Sequence, residues 1–200
     1  MILFYHRFQI CQEWIFKHFE KQKECDKMIE GRKMKKIYFA KVKENAIIPS
    51  KKEEDAGYDI YACFEEDYIE FEPNQTKLVP TGIAWASSPE FYLQIEERSS
   101  TGSKGIKKSA GVVDSGYRGE IKIAITNANS FKLYLSNLTE EEFRKKYKIE
   151  KESLVYCCKK AVAQAVVHRV EKLKVKEIDY EELKKIKSER RDKGWGSSNK

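Results

Sequence analysis

Apolar and polar positions follow two different periods along this chain. Within residues 1–33, five side chains lie near helical spacing: Phe4, Phe8, Cys11, Ile15 and Phe19. This spacing predicts an amphipathic helix. From Met34 onward, apolar residues fall instead in short runs rich in β-branched and aromatic side chains, which is typical of strands. The pattern therefore predicts an N-terminal helical extension followed by an all-β domain.

The β domain contains runs with the length and composition of strands: KIYFAKV, YIEFE, KLVPTGIAWA, FYLQIEE, EIKIAIT and AVAQAVVH. Turn-forming sequences such as IPS, EPNQ, SSPE and DSG separate these runs. One helix is predicted between the last two runs, in TEEEFRKKYK, because Thr139 and Glu142 have the spacing of a capping box. The later segment YEELKKIKSERR favours a partial helix.

These patterns divide the chain into a helical extension (1–33), a β domain (34–180) and a C-terminal arm (181–200) that we expect to be mobile in the free protein. A long connection at 129–156 carries the predicted helix. Two explanations of residues 1–33 stay open. Met34 follows Glu30-Gly31-Arg32-Lys33, which purine codons can encode entirely, so 1–33 is either translated non-coding sequence or a genuine extension.

Composition adds a basic surface and free thiols to this picture. The chain has 200 residues, 40% of them hydrophobic, which supports one domain with a core. Its net charge of +7 suits a polyanion, either nucleic acid or nucleotide phosphates, without favouring either. We expect no direct nucleic-acid binding, because no helix-turn-helix, finger or aromatic-basic stripe is present. The five cysteines lack zinc-ligand spacing, and no apolar run approaches a membrane span, so we expect a cytoplasmic protein without membrane association.

The stretch GVVDSGYRGEI, residues 111–121, contains two side chains that a turn does not need. Asp114 and Tyr117 stand at the two ends of a Ser-Gly turn between apolar runs. One explanation is structural, since an aspartate can bond the amides of a turn and tyrosine is a good strand residue. The other is that a hairpin presents the two side chains as a functional pair.

Four further stretches favour the functional explanation: DAGYDIYA (55–62), RSSTGSKG (98–105), AVAQ (161–164) and RRDKGWGSS (190–198). In this order, together with GVVDSGYRGEI, they resemble the five motifs of the homotrimeric dUTPase family, in particular phage-encoded members with an insert between the third and fourth motifs. The resemblance runs from about Lys36 to the C-terminus. It implies a distorted β-barrel or jelly-roll fold. It also implies hydrolysis of dUTP to dUMP and pyrophosphate, which keeps uracil out of DNA and supplies dUMP for thymidylate synthesis.

The resemblance implies a role for each matching residue. Asp114 would activate the attacking water, and the Tyr117 ring would pack against the deoxyribose and exclude a 2′-hydroxyl. Asp59 would face Mg²⁺ through a bound water, whereas Asp55 would cap a turn. The remaining substrate-binding positions are Arg98, Ser99, Ser100, Gly102, Gly111, Val112, Val113, Gln164, Arg190, Trp195, Ser197 and Ser198.

Three positions depart from the family pattern. Lys159-Lys160-Ala161 replaces the Gly-Asp-Arg/Lys that usually precedes the glutamine, Arg191 replaces a glycine, and Trp195 replaces a phenylalanine. The first departure removes the glycine turn that usually precedes the glutamine, here Gln164. The resemblance also implies a homotrimer in which hairpin, phosphate loop and arm come from different chains.

Two other functions are alternatives to dUTP hydrolysis. The dCTP deaminases share the fold but carry a catalytic glutamate where this chain has Ala124. A regulatory protein that binds a repressor through residues 129–156 is the second alternative, because some phage dUTPases carry an insert there. The simpler explanation of that segment is a solvated helix that shields a sheet edge.

Overall fold

A computed structural model describes residues 36–189 and 191–192. The predicted N-terminal helix at 1–33 lies outside these residues, as do four predicted arm residues: Arg190, Trp195, Ser197 and Ser198. Among the residues described, no helix is both long enough and apolar enough to span a membrane.

Short strands dominate the structure and confirm the all-β prediction. The strands are β1 Tyr38–Lys41, β2 Gly57–Ile60, β3 Tyr68–Phe71, β4 Thr76–Pro80, β5 Ile83–Ala86, β6 Phe91–Glu96, β7 Ile106–Lys108, β8 Val112–Val113, β9 Lys122–Asn127, β10 Leu133–Ser136, β11 Leu154–Cys157 and β12 Ala163–Arg169. The helices are α1 Ser99–Gly102, α2 Glu140–Tyr147 and α3 Tyr180–Lys185.

The strands form four small sheets with the orders β1-β5, β11-β10-β3, β2-β12-β6-β8 and β4-β9-β7. All pairs are antiparallel except β10 and β11, which run parallel. Their inward faces share one apolar core that includes Ile60, Phe71, Trp85, Leu93 and Ile123, each at most 2% exposed. Because side chains alternate across a strand, the opposite faces carry the polar residues.

The run KLVPTGIAWA, predicted as one strand segment, forms two strands in different sheets. Gly82 separates them with a φ of +65°, a conformation that glycine adopts without steric cost. A Cβ at this position would lie 2.8 Å from the Ala46 Cβ and 2.9 Å from the Cys63 Sγ. The chain therefore turns a tight corner here, and β5 pairs with β1 while β4 pairs with β9.

The segment 129–156 contains two core strands as well as the predicted helix. α2 connects the parallel strands β10 and β11, as a crossover must. Its N-terminus has the predicted capping box, in which Thr139 N donates to Glu142 Oε2 at 2.8 Å and Glu142 N donates to Thr139 Oγ1 at 3.3 Å. Phe143 is fully buried against Tyr134 and Val155. The helix thus packs on the sheet, and repressor binding through this segment stays a prediction.

Candidate active site

The sheet β2-β12-β6 brings three of the predicted motifs together. Gln164 on β12 lies opposite Asp59 on one side and opposite Glu96 on the other. Arg98 follows two residues after the end of β6. Pairing register, rather than closeness in sequence, therefore places Asp59, Arg98 and Gln164 at one end of this sheet. We call these three residues the phosphate cluster.

Arg98 is the centre of the phosphate cluster. Its Nε lies 2.9 Å from Asp59 Oδ1, and its Nη2 donates to Asp59 Oδ2 at 3.4 Å. Its Nη1 makes two longer contacts of 3.4 Å, to Ser100 Oγ and to the carbonyl of Ala161. Both the Arg98 and the Asp59 side chains are about a third exposed, at 31% and 34%. The guanidinium is thus fixed in direction while one side of it remains open to a ligand.

Gln164 supports the backbone just before Arg98. Its Nε2 donates to the carbonyl of Glu97 at 2.8 Å. Gly57 makes room for this side chain, since a Cβ there would lie 2.5 Å from Gln164 Oε1. Sequence reasoning did not single out Gly57, although a glycine inside a strand often marks such a close approach.

The missing glycine before Gln164 does not disturb β12. Lys160 N donates to the carbonyl of Cys157 at 3.1 Å and closes a turn there. Among the described residues, positive φ angles occur at Asn74, Gly82, Gly105, Lys148 and Arg191, none of which belongs to this turn. The Lys159-Lys160-Ala161 turn therefore does not need a left-handed residue, and Gln164 lies in register.

The stretch RSSTGSKG, which the resemblance implies is the phosphate loop, is partly helical. The buried Thr101 organises α1, because its Oγ1 accepts a hydrogen bond of 3.1 Å from Arg98 N. The amides of Thr101, Gly102 and Ser103 donate to carbonyls within the turn. As the first amides of a helical turn, those of Ser99 and Ser100 have no intrahelical partner. The amides left for an anion are therefore fewer than a loop would offer.

The flanks of the Asp114 turn do not form the predicted hairpin. Tyr117 N donates to the carbonyl of Asp114 at 3.1 Å, so the turn itself is present. However, β8 pairs with β6, whereas β9 pairs with β4 and β7. The turn therefore joins two sheets. The prediction of a hairpin was wrong because the turn sequence does not specify which strands pair around it.

Gly111 allows β8 to lie close against β6. A Cβ at Gly111 would lie 2.7 Å from the carbonyl oxygen of Ile95, whose own amide donates to the Gly111 carbonyl at 2.7 Å. Hydrogen-bonded positions alternate along an antiparallel pair, so the N–H and C=O of Val112 point away from β6. β8 is the edge strand of its sheet, and the Val112 side chain is 65% exposed. The backbone of Val112 is thus available to a ligand.

The Asp114 carboxylate is exposed and makes no hydrogen bond or ion pair with any residue that the structure describes. The turn is held by other groups: Tyr117 Oη donates to the carbonyl of Glu120 at 3.0 Å, and Arg118 Nη1 donates to the carbonyls of Ser115 and Tyr117. The structural explanation of Asp114, that it bonds turn amides, is therefore not met. Arg118, which sequence reasoning missed, fixes the turn instead. Tyr117 is 47% exposed.

Asp114 and Arg98 lie at opposite ends of β6. Val113 pairs with Leu93 of β6, and from there the chain runs to Asp114 toward the start of β6. Arg98 lies five residues after Leu93, beyond the other end of the strand. At ~3.3 Å per residue, the backbone at Leu93, beside Val113, is about 16 Å from the backbone at Arg98. Within one chain, the backbone of Asp114 is therefore well separated from that of Arg98.

The described residues contain no group of three or more His, Cys, Asp or Glu side chains that could hold a metal ion. Both Asp59 oxygens face Arg98. A single partly exposed carboxylate does not build a metal site by itself. It does fit a Mg²⁺ ion that arrives on a triphosphate, since Mg²⁺ commonly takes one or two carboxylates together with phosphate oxygens and water.

Ala124 lies on β9 opposite Leu78 and is 8% exposed. It offers no acidic group at the place where a deaminase would need its glutamate. The position therefore gives no support to dCTP deamination.

Comparison with known proteins identifies the family. A family model described as dUTPase matches residues 43–139. A deoxyuridine 5'-triphosphate nucleotidohydrolase of Nautilia profundicola is 30% identical over 169 residues, which cover 82% of this chain and 99% of that protein. This chain belongs to the dUTPase family. A deoxyuridine 5'-triphosphate nucleotidohydrolase of Leptospira interrogans is 40% identical over 96 residues, which cover 46% of this chain. This match spans 66% of the length of the Leptospira protein, just under two thirds.

Solved dUTPase structures share the fold. The Staphylococcus bacteriophage 80alpha dUTPase with dUPNHPP has a TM-score of 0.62 at 21% identity, covering 82% of this chain and 98% of that one. The dUTPase of phage phi11 of S. aureus has a TM-score of 0.57 at 20% identity, covering 72% and 96%. A mutant of the phi11 protein is described with a structural Mg(II) ion. At these identities the likeness supports the dUTPase fold.

Proposed function

We propose that this protein hydrolyses dUTP to dUMP and pyrophosphate. The observation that carries the proposal is the division of polar groups between two places: a fixed guanidinium at Arg98, and an unpartnered carboxylate at Asp114. Hydrolysis at a phosphorus atom needs both, because the phosphates must be held and a water must be activated.

The phosphate cluster would bind the triphosphate. Arg98 offers a planar guanidinium that pairs well with phosphate oxygens. Ser100, 3.4 Å from Arg98 Nη1, adds a hydroxyl, and the Ser99 and Ser100 amides add donors. Gln164 keeps this segment in place through Glu97. Because these groups are already fixed, little order has to be gained when the substrate binds.

Asp114 would act as the general base. Its carboxylate accepts a proton from a water molecule as that water attacks the α-phosphorus. The bond from this phosphorus to the bridging oxygen then breaks, and pyrophosphate leaves with the electron pair. A base positioned in this way typically contributes about 10²- to 10⁴-fold in rate.

The edge strand β8 would recognise the base. The outward N–H and C=O of Val112 form a fixed donor and acceptor pair that suits the edge of uracil. Tyr117 would lie against the deoxyribose, where a flat ring leaves no room for a 2′-hydroxyl. Sites built on such hydrogen bonds discriminate strongly, because a wrong base leaves buried groups unpaired.

A Mg²⁺ ion would accompany the triphosphate, where it neutralises phosphate charge. Asp59 would contact the hydration shell of the ion from its place beside Arg98. Arg98 would still hold the phosphates, and Asp114 would still activate the water.

The complete site would be shared between chains of a homotrimer. The backbone separation of about 16 Å supports this proposal, because a general base must lie within hydrogen-bond reach of the water that attacks a phosphate held by Arg98. A second copy placed with its Asp114 turn near the phosphate cluster would supply the base. The arm residues predicted from the sequence would then close over the nucleotide from a further chain.

Pyrophosphate release from dUTP, dCTP, dTTP and UTP in the presence of Mg²⁺ tests the proposed activity. We expect release from dUTP alone, with dUMP as the other product. Formation of uracil nucleotide from dCTP would support a deaminase instead. Absence of turnover with all four nucleotides would contradict the proposal.

A further inference from the structure

A buried tyrosine lies beneath the phosphate cluster, outside every motif considered so far. Tyr156 is on β11 and is 5% exposed. Its hydroxyl donates to the carbonyl of Ala161 at 2.7 Å. The same carbonyl accepts from Arg98 Nη1 at 3.4 Å. One carbonyl oxygen therefore connects the Tyr156 hydroxyl to the guanidinium that would bind phosphate.

The chemistry of this hydroxyl suits a permanent donor. Burial raises the pKa of Tyr156, and the neighbouring Arg98 and Ser100 oppose that rise only in part. The hydroxyl therefore keeps its proton at neutral pH and can donate it in the hydrogen bond to the Ala161 carbonyl. The position of the ring is fixed as well, because Tyr156 pairs with the fully buried Leu135 across the parallel strands.

We propose that Tyr156 is a positioning residue for Arg98, acting through the carbonyl of Ala161. This inference rests on the proposed phosphate-binding role of Arg98. With the hydroxyl present, the strong 2.7 Å bond satisfies the Ala161 carbonyl, and Arg98 Nη1 stays at a longer distance. Nη1, which makes only long 3.4 Å contacts, can then exchange one of them for a phosphate oxygen.

Loss of the hydroxyl would change this balance. A buried carbonyl must find a donor, and among the atoms that now bond the Ala161 carbonyl only Arg98 Nη1 would remain. The carbonyl would then draw Arg98 Nη1 toward itself and away from the ligand. Binding of the phosphates should weaken, whereas binding of the base and sugar should not, because the groups proposed to bind the base and sugar lie on the Val112–Tyr117 segment.

The Tyr156→Phe variant tests this inference, since it removes the hydroxyl and keeps the ring in the core. Binding of dUpNHpp and of dUMP is measured for the wild type and the variant, with thermal unfolding as a check on the fold. We expect affinity for the triphosphate analogue to fall by roughly tenfold, the size expected for one disturbed hydrogen bond to a charged group. Affinity for dUMP should stay within about twofold, because its single phosphate makes few of these contacts.

Tyr134→Phe is the matched control. Tyr134 is a buried tyrosine on the neighbouring strand β10, where its ring packs against Tyr68 and Phe143 rather than near Arg98. Both affinities should be unchanged in this variant. Equal losses for the two nucleotides, or equal losses in the two variants, would indicate a general structural role and overturn the inference.

A double-mutant cycle with Arg98→Lys examines whether Tyr156 acts through Arg98. Lysine lacks the planar fork, so Tyr156→Phe should have little further effect on triphosphate affinity in that background. The same loss in both backgrounds would overturn the inference. Wild-type hydrolysis of dUTP together with an unaffected Tyr156→Phe variant would overturn it while leaving the proposed function intact. A wild type that neither binds nor hydrolyses dUTP would overturn both.

Discussion

The phosphate cluster and the Asp114 turn differ in how completely their polar groups are paired. Within the cluster, Arg98 contacts Asp59, Ser100 and the Ala161 carbonyl. Within the turn, the Asp114 carboxylate is exposed and has no partner among the residues that the structure describes. The phosphate cluster is organised before any ligand arrives, whereas the Asp114 turn presents a carboxylate that contacts no other described group.

This difference shows how one chain can prepare the parts of a site without completing it. A fixed guanidinium binds phosphate with little reorganisation, which favours tight and oriented binding. A free carboxylate beside the phosphates would repel them if both were on one chain and close together. Separation along β6 keeps the two apart within one chain, and in the proposed shared site a second chain would supply the base.

The largest expected effect comes from the unpartnered side of the comparison. Asp114→Asn keeps the shape of the turn, because Arg118 and the backbone hold it, but removes the base. Turnover of dUTP should fall by roughly 10²- to 10⁴-fold while nucleotide binding and Tm are preserved. Steady-state kinetics and a binding assay measure the two quantities separately. Near-normal turnover would remove Asp114 from the mechanism.

Asp55→Asn is the control for this substitution. Asp55 is also an exposed aspartate in a turn, but its Oδ2 accepts a hydrogen bond of 3.1 Å from Lys52 N, as predicted for a turn-capping residue. Asparagine can accept the same bond. Turnover should therefore stay close to that of the wild type.

A smaller effect is expected from the paired side of the comparison. Arg98→Lys keeps the charge but loses the planar fork, so it disturbs both the Asp59 pair and the phosphate contacts. We expect kcat/KM for dUTP to fall by about 10- to 100-fold, through weaker triphosphate binding. Arg169→Lys, at the end of β12 in the same sheet, is the matched control and should have no effect. A loss confined to kcat would argue against a binding role for Arg98.

Much of the fold could be predicted from the sequence, because its signals are local. Strand composition identified β3 and β6, and the spacing of Thr139 and Glu142 identified α2 with its capping box. β2, β7, β10 and β11 were not among the predicted runs. Three of them are short or poor in apolar residues, and β10 lies within a segment that was interpreted as an insert. The parallel pairing of β10 with β11 is also a long-range property that a local pattern does not reveal.

The site was predicted residue by residue but not in its geometry. Motif resemblance named Asp59 and Arg98, yet their ion pair joins residues 39 positions apart and depends on the register of three strands. The prediction that Asp59 faces Mg²⁺ stays a prediction. Tyr156 belongs to no motif, and only the structure reveals its hydrogen bond to Ala161.

The smallest effect is expected at α2, away from both regions. Lys146 and Tyr147 donate to the Asp67 carboxylate and hold the pKa of Asp67 below its usual range. A lowered folded-state pKa stabilises the protein above the unfolded pKa of about 3.9, and this stabilisation is lost as pH falls through the folded value. Asp67→Asn should therefore lower Tm slightly at pH 7 and show no difference from the wild type in strong acid.

Turnover of dUTP should be unchanged in Asp67→Asn, since neither region of the proposed site is touched. Glu141→Gln, an exposed change on the same helix, is the control for Tm. A Tm difference that persists unchanged into strong acid would contradict the assigned cause. Loss of turnover would mean that α2 supports the active site.

Mixing two inactive variants tests the shared site most directly. Asp114→Asn lacks the base, and Arg98→Ala lacks the phosphate-binding guanidinium. The two proteins are unfolded together, refolded at equal concentrations and assayed for dUTP hydrolysis. If base and guanidinium come from different chains, random assembly should restore about one quarter of wild-type activity, because each group is intact in half of the chains. Activity no greater than that of the separate variants would contradict a site shared between chains.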